Sequence, residues 1–130
     1  MSIEASIISQ LITSGIVSDR VYPQSLPQGG VLPAIAAFRV SGAPLYADDG
    51  EAGLAADRLQ IDCWSNTYTS AKTVATGVKT ALSALRDVTI ETIMIQYIMI
   101  ESERDFRESG SSAAEYLYRT SVDIIIWSEN

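Results

Sequence analysis

The chain has 130 residues with 9 basic and 16 acidic side chains, a formal charge of −7 at pH 7. This length suits one domain, residues 1–130, able to bury roughly two thirds of the surface its unfolded chain exposes, and the acidity argues against affinity for nucleic acid. Histidine is absent, so the commonest general base and metal ligand is missing, and His-based hydrolase triads and His-ligated zinc are set aside.

A single Cys63 cannot form an internal disulfide, which points to a reducing compartment. The start, Met1-Ser-Ile-Glu-Ala, lacks the basic and uninterrupted apolar character of a secretory signal. The densest uncharged apolar run, Thr92 to Ile100, is far shorter than the roughly 20 residues that span a bilayer. The expectation is a soluble protein assembled in the cytoplasm, without membrane contact. A mean hydropathy of +0.14, high for an acidic monomer of this size, predicts that another subunit covers some apolar surface.

Ile3, Ile7, Ile8, Leu11 and Ile12 recur at helical spacing, and Gly15 follows as a stop. Ile16 to Leu32 contains Pro23, Pro27, Gly29 and Gly30 and reads as an extended, irregular surface arm. Ala34 to Val40 reads as the first strand. Ser41 to Ala56, with Gly42, Pro44, Asp48-Asp49-Gly50 and Gly53, reads as a long polar loop. Arg58 to Trp64 alternates, with Leu59, Ile61 and Cys63 on one face and Gln60, Asp62 and Trp64 on the other.

Asn66 or Thr67 can cap the next element, in which Ala71, Val74, Ala75, Val78, Leu82 and Leu85 form the strongest helical stripe in the chain. Lys72 and Lys79 lie off that stripe, and Gly77 costs about 1 kcal/mol of helix propensity relative to Ala. Thr89 to Glu103 is dense in isoleucine and reads as a strand, with Ile93, Ile95, Tyr97 and Met99 facing one way and Met94, Ile98 and Ile100 the other. Arg104 to Ala114 is polar. Glu115 to Ser128 is the last strand, with Tyr116, Tyr118, Val122, Ile124 and Ile126 alternating against Leu117, Arg119, Asp123, Ile125 and Trp127. The fold class is therefore α+β in the order α-β-β-α-β-β, an antiparallel sheet with two helices packed on one face. The other face needs a second cover, and another copy of the chain is the simplest.

Candidate chemistry is sparse. Gly29-Gly30 lacks the lysine and the helix start of a phosphate loop. Asp48-Asp49-Gly50-Glu51 has oxygens suited to Ca²⁺ but not the spacing of an EF-hand loop. Cys63 falls on the inward face of its strand, and Tyr116 and Tyr118 lie in an acidic neighbourhood unlike that of an RNA-binding sheet. No catalytic, metal or cofactor site is expected. The acidity is concentrated, with residues 48–62 at −4 and residues 101–130 at −4, against near balance elsewhere. Two solvated loops explain this, and so does one face that repels polyanions or meets a basic partner.

Arg20-Val-Tyr-Pro23, the Pro27-Gln-Gly-Gly-Val-Leu-Pro33 arm, Leu59-Gln-Ile-Asp-Cys-Trp64 before the alanine-rich helix, and the closing stretch form a pattern in this order along nearly the whole chain. In the closing stretch they are Glu103-Arg-Asp-Phe106, Glu115-Tyr-Leu-Tyr-Arg119 and Asp123-Ile-Ile-Ile-Trp127. The pattern resembles the tail completion, or tail terminator, proteins of long-tailed bacteriophages and related gene transfer particles. Ala34 departs from it, where relatives often carry an aromatic.

The resemblance implies a non-enzymatic virion protein: a hexameric ring at the head-proximal end of the tail that stops tube polymerisation. Its implied partners are further copies of itself, the tail tube protein and the head-completion or connector protein, with DNA passing through a central channel unbound. Under that reading the arm residues Val21, Tyr22, Pro23, Pro27 and Leu32 and the loop residues Leu45, Tyr46, Asp48, Asp49 and Glu51 are expected to contact neighbouring rings. Ile93, Ile95 and Tyr97 are expected to pack subunits together. Two other readings stand beside it: a small-ligand-binding or regulatory α+β dimer with a closed apolar cavity, and a metal-assisted enzyme using Asp48, Asp49 and Glu51.

Overall fold

The computed structural model describes residues 3–26, 30–47, 50–90, 92–109 and 116–129; residues 41–47, 50–54, 108–109 and 116 are described by their backbone. The first helix, α1 (Ile3–Ser14), buries Ile3, Ile7 and Leu11 as its spacing requires. Gly15 ends it at φ +76°, a left-handed backbone that suits glycine, and its N–H donates to the Ile12 carbonyl at 3.1 Å.

The stretch expected to be irregular forms two short strands, β1 (Ile16–Asp19) and β2 (Val21–Pro23). Their apolar anchors decide this, since Val17 and Val21 are both buried in the core. The Ile35 N–H donates to the Arg20 carbonyl at 2.9 Å and the Arg20 Nε donates to the Pro33 carbonyl at 2.9 Å, which fixes β2 beside the next strand. Of the residues assigned to the arm, Pro27 lies outside the described residues.

β3 (Ala34–Ala47) and β4 (Gly50–Ser65) form one long hairpin, paired from Ala34 with Trp64 up to Ala47 with Gly50. The long polar loop expected over Ser41–Ala56 is thus mostly paired strand, with Asp48 and Asp49 outside the described residues. Gly42 and Pro44 are tolerated because β3 lies next to the sheet edge and β2 covers only Ile35–Ala37, so a missing N–H breaks no ladder. A register shift at Val40 marks a bulge.

The second helix, α2 (Tyr68–Ser83), is capped by Thr67, whose hydroxyl accepts from the Ser70 N–H at 3.1 Å. Its stripe of Ala71, Val74, Ala75, Val78 and Leu82 is buried, and Leu85 is buried just beyond its end. Gly77 has a packing reason. The side chain of Ile16 fills the space over it, and a Cβ there would meet Ile16 carbons at 3.3 Å.

The strand expected over Thr89–Glu103 breaks into β5 (Val88–Ile90) and β6 (Ile93–Ser109), and β7 (Tyr116–Glu129) pairs with β6 along nearly its whole length. The sheet order is β2-β3-β4-β7-β6-β5. It is mixed rather than antiparallel, because β2 runs parallel to β3. One face packs against α1 and α2 around Ile35, Leu59, Ile61, Cys63, Ile95, Val122, Ile124 and Ile126.

Leu82→Ala removes a fully buried side chain from the helix–sheet seam and should cost about 2 to 5 kcal/mol. Urea unfolding, with a lower midpoint at an unchanged slope, checks this.

Candidate functional site

The face of the sheet away from the helices has no cover among the described residues, and cross-strand register sets its chemistry. On β6, bulges at Gln96 and Glu101 each reverse the alternation. Ile93 and Ile95 face the helices, then Ile98 and Ile100 do so, then Glu103 and Asp105. Ile93, Ile95, Tyr97 and Met99 therefore do not share a face as simple alternation predicts. Ile95 is fully buried and Ile93 packs on the core, while Tyr97 and Met99 point outward at 39% and 44% exposure.

The uncovered face reads as a series of rows across β4, β7 and β6. At one end Trp64, Arg119 and Phe106 are aligned, and the Arg119 guanidinium lies 5.2 Å from the Trp64 ring centre and 4.4 Å from that of Phe106. Next come Asp62, Ser121 and Arg104, then Gln60, Asp123 and Ser102. Asp62 is buried, accepting hydrogen bonds from the Ser121 hydroxyl at 2.6 Å, from Gln60 at 2.9 Å and from Arg119 at 3.5 Å. The other end is apolar, with Ile125 beside Met99 and Trp127 stacked on Tyr97 at 5.7 Å.

On the covered face, Lys72 and Lys79 stand two turns apart on α2 and reach β6 together. Both contact Glu103, and Lys72 also contacts Asp105. The hydrogen bond from Lys72, then that from Lys79, holds the Glu103 carboxyl below the usual glutamate range. At the far edge Asp57 is pushed the other way, burial outweighing Arg39 at 3.6 Å. Cys63 is buried, and burial pushes its thiol well up, away from nucleophilic character.

Two hairpins extend past the body at opposite ends of the strands. The β3–β4 pairs Tyr46 with Glu51 and Ala47 with Gly50 lie beyond Glu129, where β7 stops. The β6–β7 pairs Glu108 with Leu117 and Ser109 with Tyr116 lie beyond Ser65, where β4 stops. A surface groove of about 730 Å³ opens between α1 and the β3 edge, lined by Ile8, Ile12, Pro23, Gln24, Phe38 and Arg39 among others.

The residues singled out in the sequence are thus scattered. Val21 is core, Tyr22 and Leu32 are half-buried, and Pro23 is exposed and lines the groove. Leu45, Tyr46 and Glu51 belong to the projecting β3–β4 hairpin. Sequence reasoning missed the groove, the two β6 bulges and the Trp64–Arg119–Phe106 row. The last was signalled by three residues at facing positions of strands whose register was not yet known. Among the described residues no three ligating side chains gather as a metal site, and no helix is long and apolar enough to cross a membrane.

A sheet with one helix-covered face and projecting arms at both ends is a structural framework, and the comparisons give it a family. The family model described as tail completion protein gp17 matches residues 7–129. The chain belongs to this family of phage tail structural proteins. Among solved structures, a chain of "Virion of native gene transfer agent (GTA) particle" matches with a TM-score of 0.74 at 17% identity, covering 99% of this chain and 96% of that one. No curated protein matches.

Two outcomes are expected. Asp62→Ala, which removes the acceptor shared by Ser121, Gln60 and Arg119, should cost about 1 to 3 kcal/mol in chemical denaturation. Glu103 contributes stability that is complete above the ordinary glutamate pKa of about 4.3 and is lost as pH falls through its lowered folded value. Glu103→Gln should therefore flatten the acid side of a melting-temperature profile. Asp57 acts with the opposite sign, disfavouring the fold as pH rises through its raised value.

Proposed function

We propose that this chain forms a ring, most simply of six copies, at the head-proximal end of a phage-like tail, stopping tube growth and joining the tail to the head connector. The family match over residues 7–129 carries this reading. The likeness of fold to a chain of a gene transfer agent virion supports placement in a particle. Three features of the chain fit the role. The uncovered apolar end of the sheet, Tyr97, Met99, Ile125 and Trp127, needs a neighbour. The two hairpins point to opposite ends, one toward each structure that such a joint must touch. Acidic residues flank both strand connections in the sequence, Asp48, Asp49 and Glu51 at the first and Glu108 and Glu115 at the second, whereas Asp57, Asp62, Glu101, Glu103, Asp105 and Asp123 have cationic partners within the chain.

In this role the protein acts without cofactor or catalysis. Gathered around an axis, the acidic segments within residues 48–62 and after Ile100 would repel passing DNA over a Debye length of about 8 Å at physiological salt. Basic contacts would instead hold the phosphates. Partners are further copies, the tail tube protein and the head connector, with assembly in the host cytoplasm. A small-ligand dimer requires a closed apolar cavity, whereas the groove described above is open at the surface.

Light scattering over a range of concentrations, alone and with tail tube protein, should give a mass above the monomer, and imaging down the particle should show a ring with at least one acidic segment on its channel. A chain that stays monomeric in both conditions contradicts the proposal. A ring with both segments on its outer wall contradicts the channel argument alone.

A further inference from the structure

Among the described residues, four of the exposed large apolar side chains lie at two places on opposite sides of the sheet, while Val31, Tyr68 and Phe106 lie elsewhere. One is the α1–β3 side, where Ile12, 39% exposed, lines the groove and Val40, 53% exposed, follows the groove residue Arg39 on β3. The other is the β6 side, where Tyr97 and Met99 form a ridge beside a strand that β5 covers only from Ile93 to Ile95. The first is a groove, and the second is an exposed stretch of sheet face. Each copy carries one of each.

Charge follows the same division. Arg39, with a side chain 53% exposed, stands in the groove, held loosely by Glu4 at 3.4 Å and Asp57 at 3.6 Å. Glu101 is exposed beside Met99 on the ridge, where it pairs with Arg58 of its own chain. Strand direction is compatible as well. β3 runs with β7 and against β6, so rotation about an axis along the strands brings β6 of one copy to β3 of the next in antiparallel sense.

Resting on the ring reading, we infer that the groove between α1 and β3 receives the Tyr97–Met99 ridge of the neighbouring copy, making a head-to-tail contact that repeats around the ring. Different patches meet in such a contact, so it closes a ring or extends a filament, where a self-complementary patch would stop at a dimer. The Val40 bulge and Pro44, which has no N–H to donate, restrict backbone pairing at the β3 edge. Side chains entering the groove therefore carry the contact: the ridge apolar groups lie against Ile8 and Ile12, with Glu101 near Arg39.

The native chain suits a cysteine test, because Cys63 is buried and unreactive. Ile12→Cys, Met99→Cys and the double variant are each treated with a short bis-maleimide under conditions in which light scattering shows the multimer, and run on denaturing gels. The expected result is a ladder reaching the full multimer from the double variant, with both single variants running as monomers. Dimers from Met99→Cys alone overturn the inference in favour of a self-facing contact. A multimer whose double variant gives no ladder overturns this contact and leaves the ring standing, whereas a chain that forms no multimer alone or with tail tube protein removes both.

Discussion

One constraint organises the molecule: two helices cover one face of a six-stranded sheet and, among the described residues, nothing covers the other. The strands answer with different residues on their two sides. β4 places Leu59, Ile61 and Cys63 under the helices and sends Gln60, Asp62 and Trp64 outward. β7 does the same with Val122, Ile124 and Ile126 against Arg119, Ser121 and Asp123. A bare face built of isoleucine would drive uncontrolled association. Here much of it is a hydrogen-bonded network around a buried carboxylate, with Trp64 and Phe106 held against Arg119 at one end and Tyr97 stacked on Trp127 at the other.

Much of this was legible in the sequence, and what was not has identifiable causes. Period and capping located α2 well, because Ala71 to Leu82 is regular and Thr67 offers the right oxygen. Strict alternation located β7 and the Arg58–Trp64 part of β4. It failed on β6, where one extra residue at Gln96 and another at Glu101 invert the pattern locally, and a bulge leaves no clear mark in an isoleucine-rich run. Composition failed at both ends of the first hairpin for opposite reasons. Glycine and proline in residues 41–53 suggested a loop, but an edge strand tolerates both; prolines near Val21 suggested irregularity, but the buried valine and backbone bonds to β3 at either end hold a strand. The open groove depends on how α1 sits against β3, a long-range arrangement that no local pattern encodes.

The net charge of −7 looks different once the ion pairs are placed. Glu101, Glu103, Asp105 and Asp123 meet Arg58, Lys72, Lys79 and Arg104, so much of the negative run after Ile100 is neutralised where it stands. A run of carboxylates along a strand is then partly a set of cross-links between β6, its neighbours and α2. Charge counted along the chain and charge presented to a partner are separate quantities.

The two hairpins have their roots in one ladder. β4 belongs to the first and β7 to the second, and the two pair from Leu54 with Glu129 to Ser65 with Tyr118. Tension drawing the two tips apart along the strands would load that ladder in shear, with its hydrogen bonds resisting together, whereas peeling would break them one by one. The central strand pair thus serves as a tie rod, strong along its own axis, between whatever is fastened at either end.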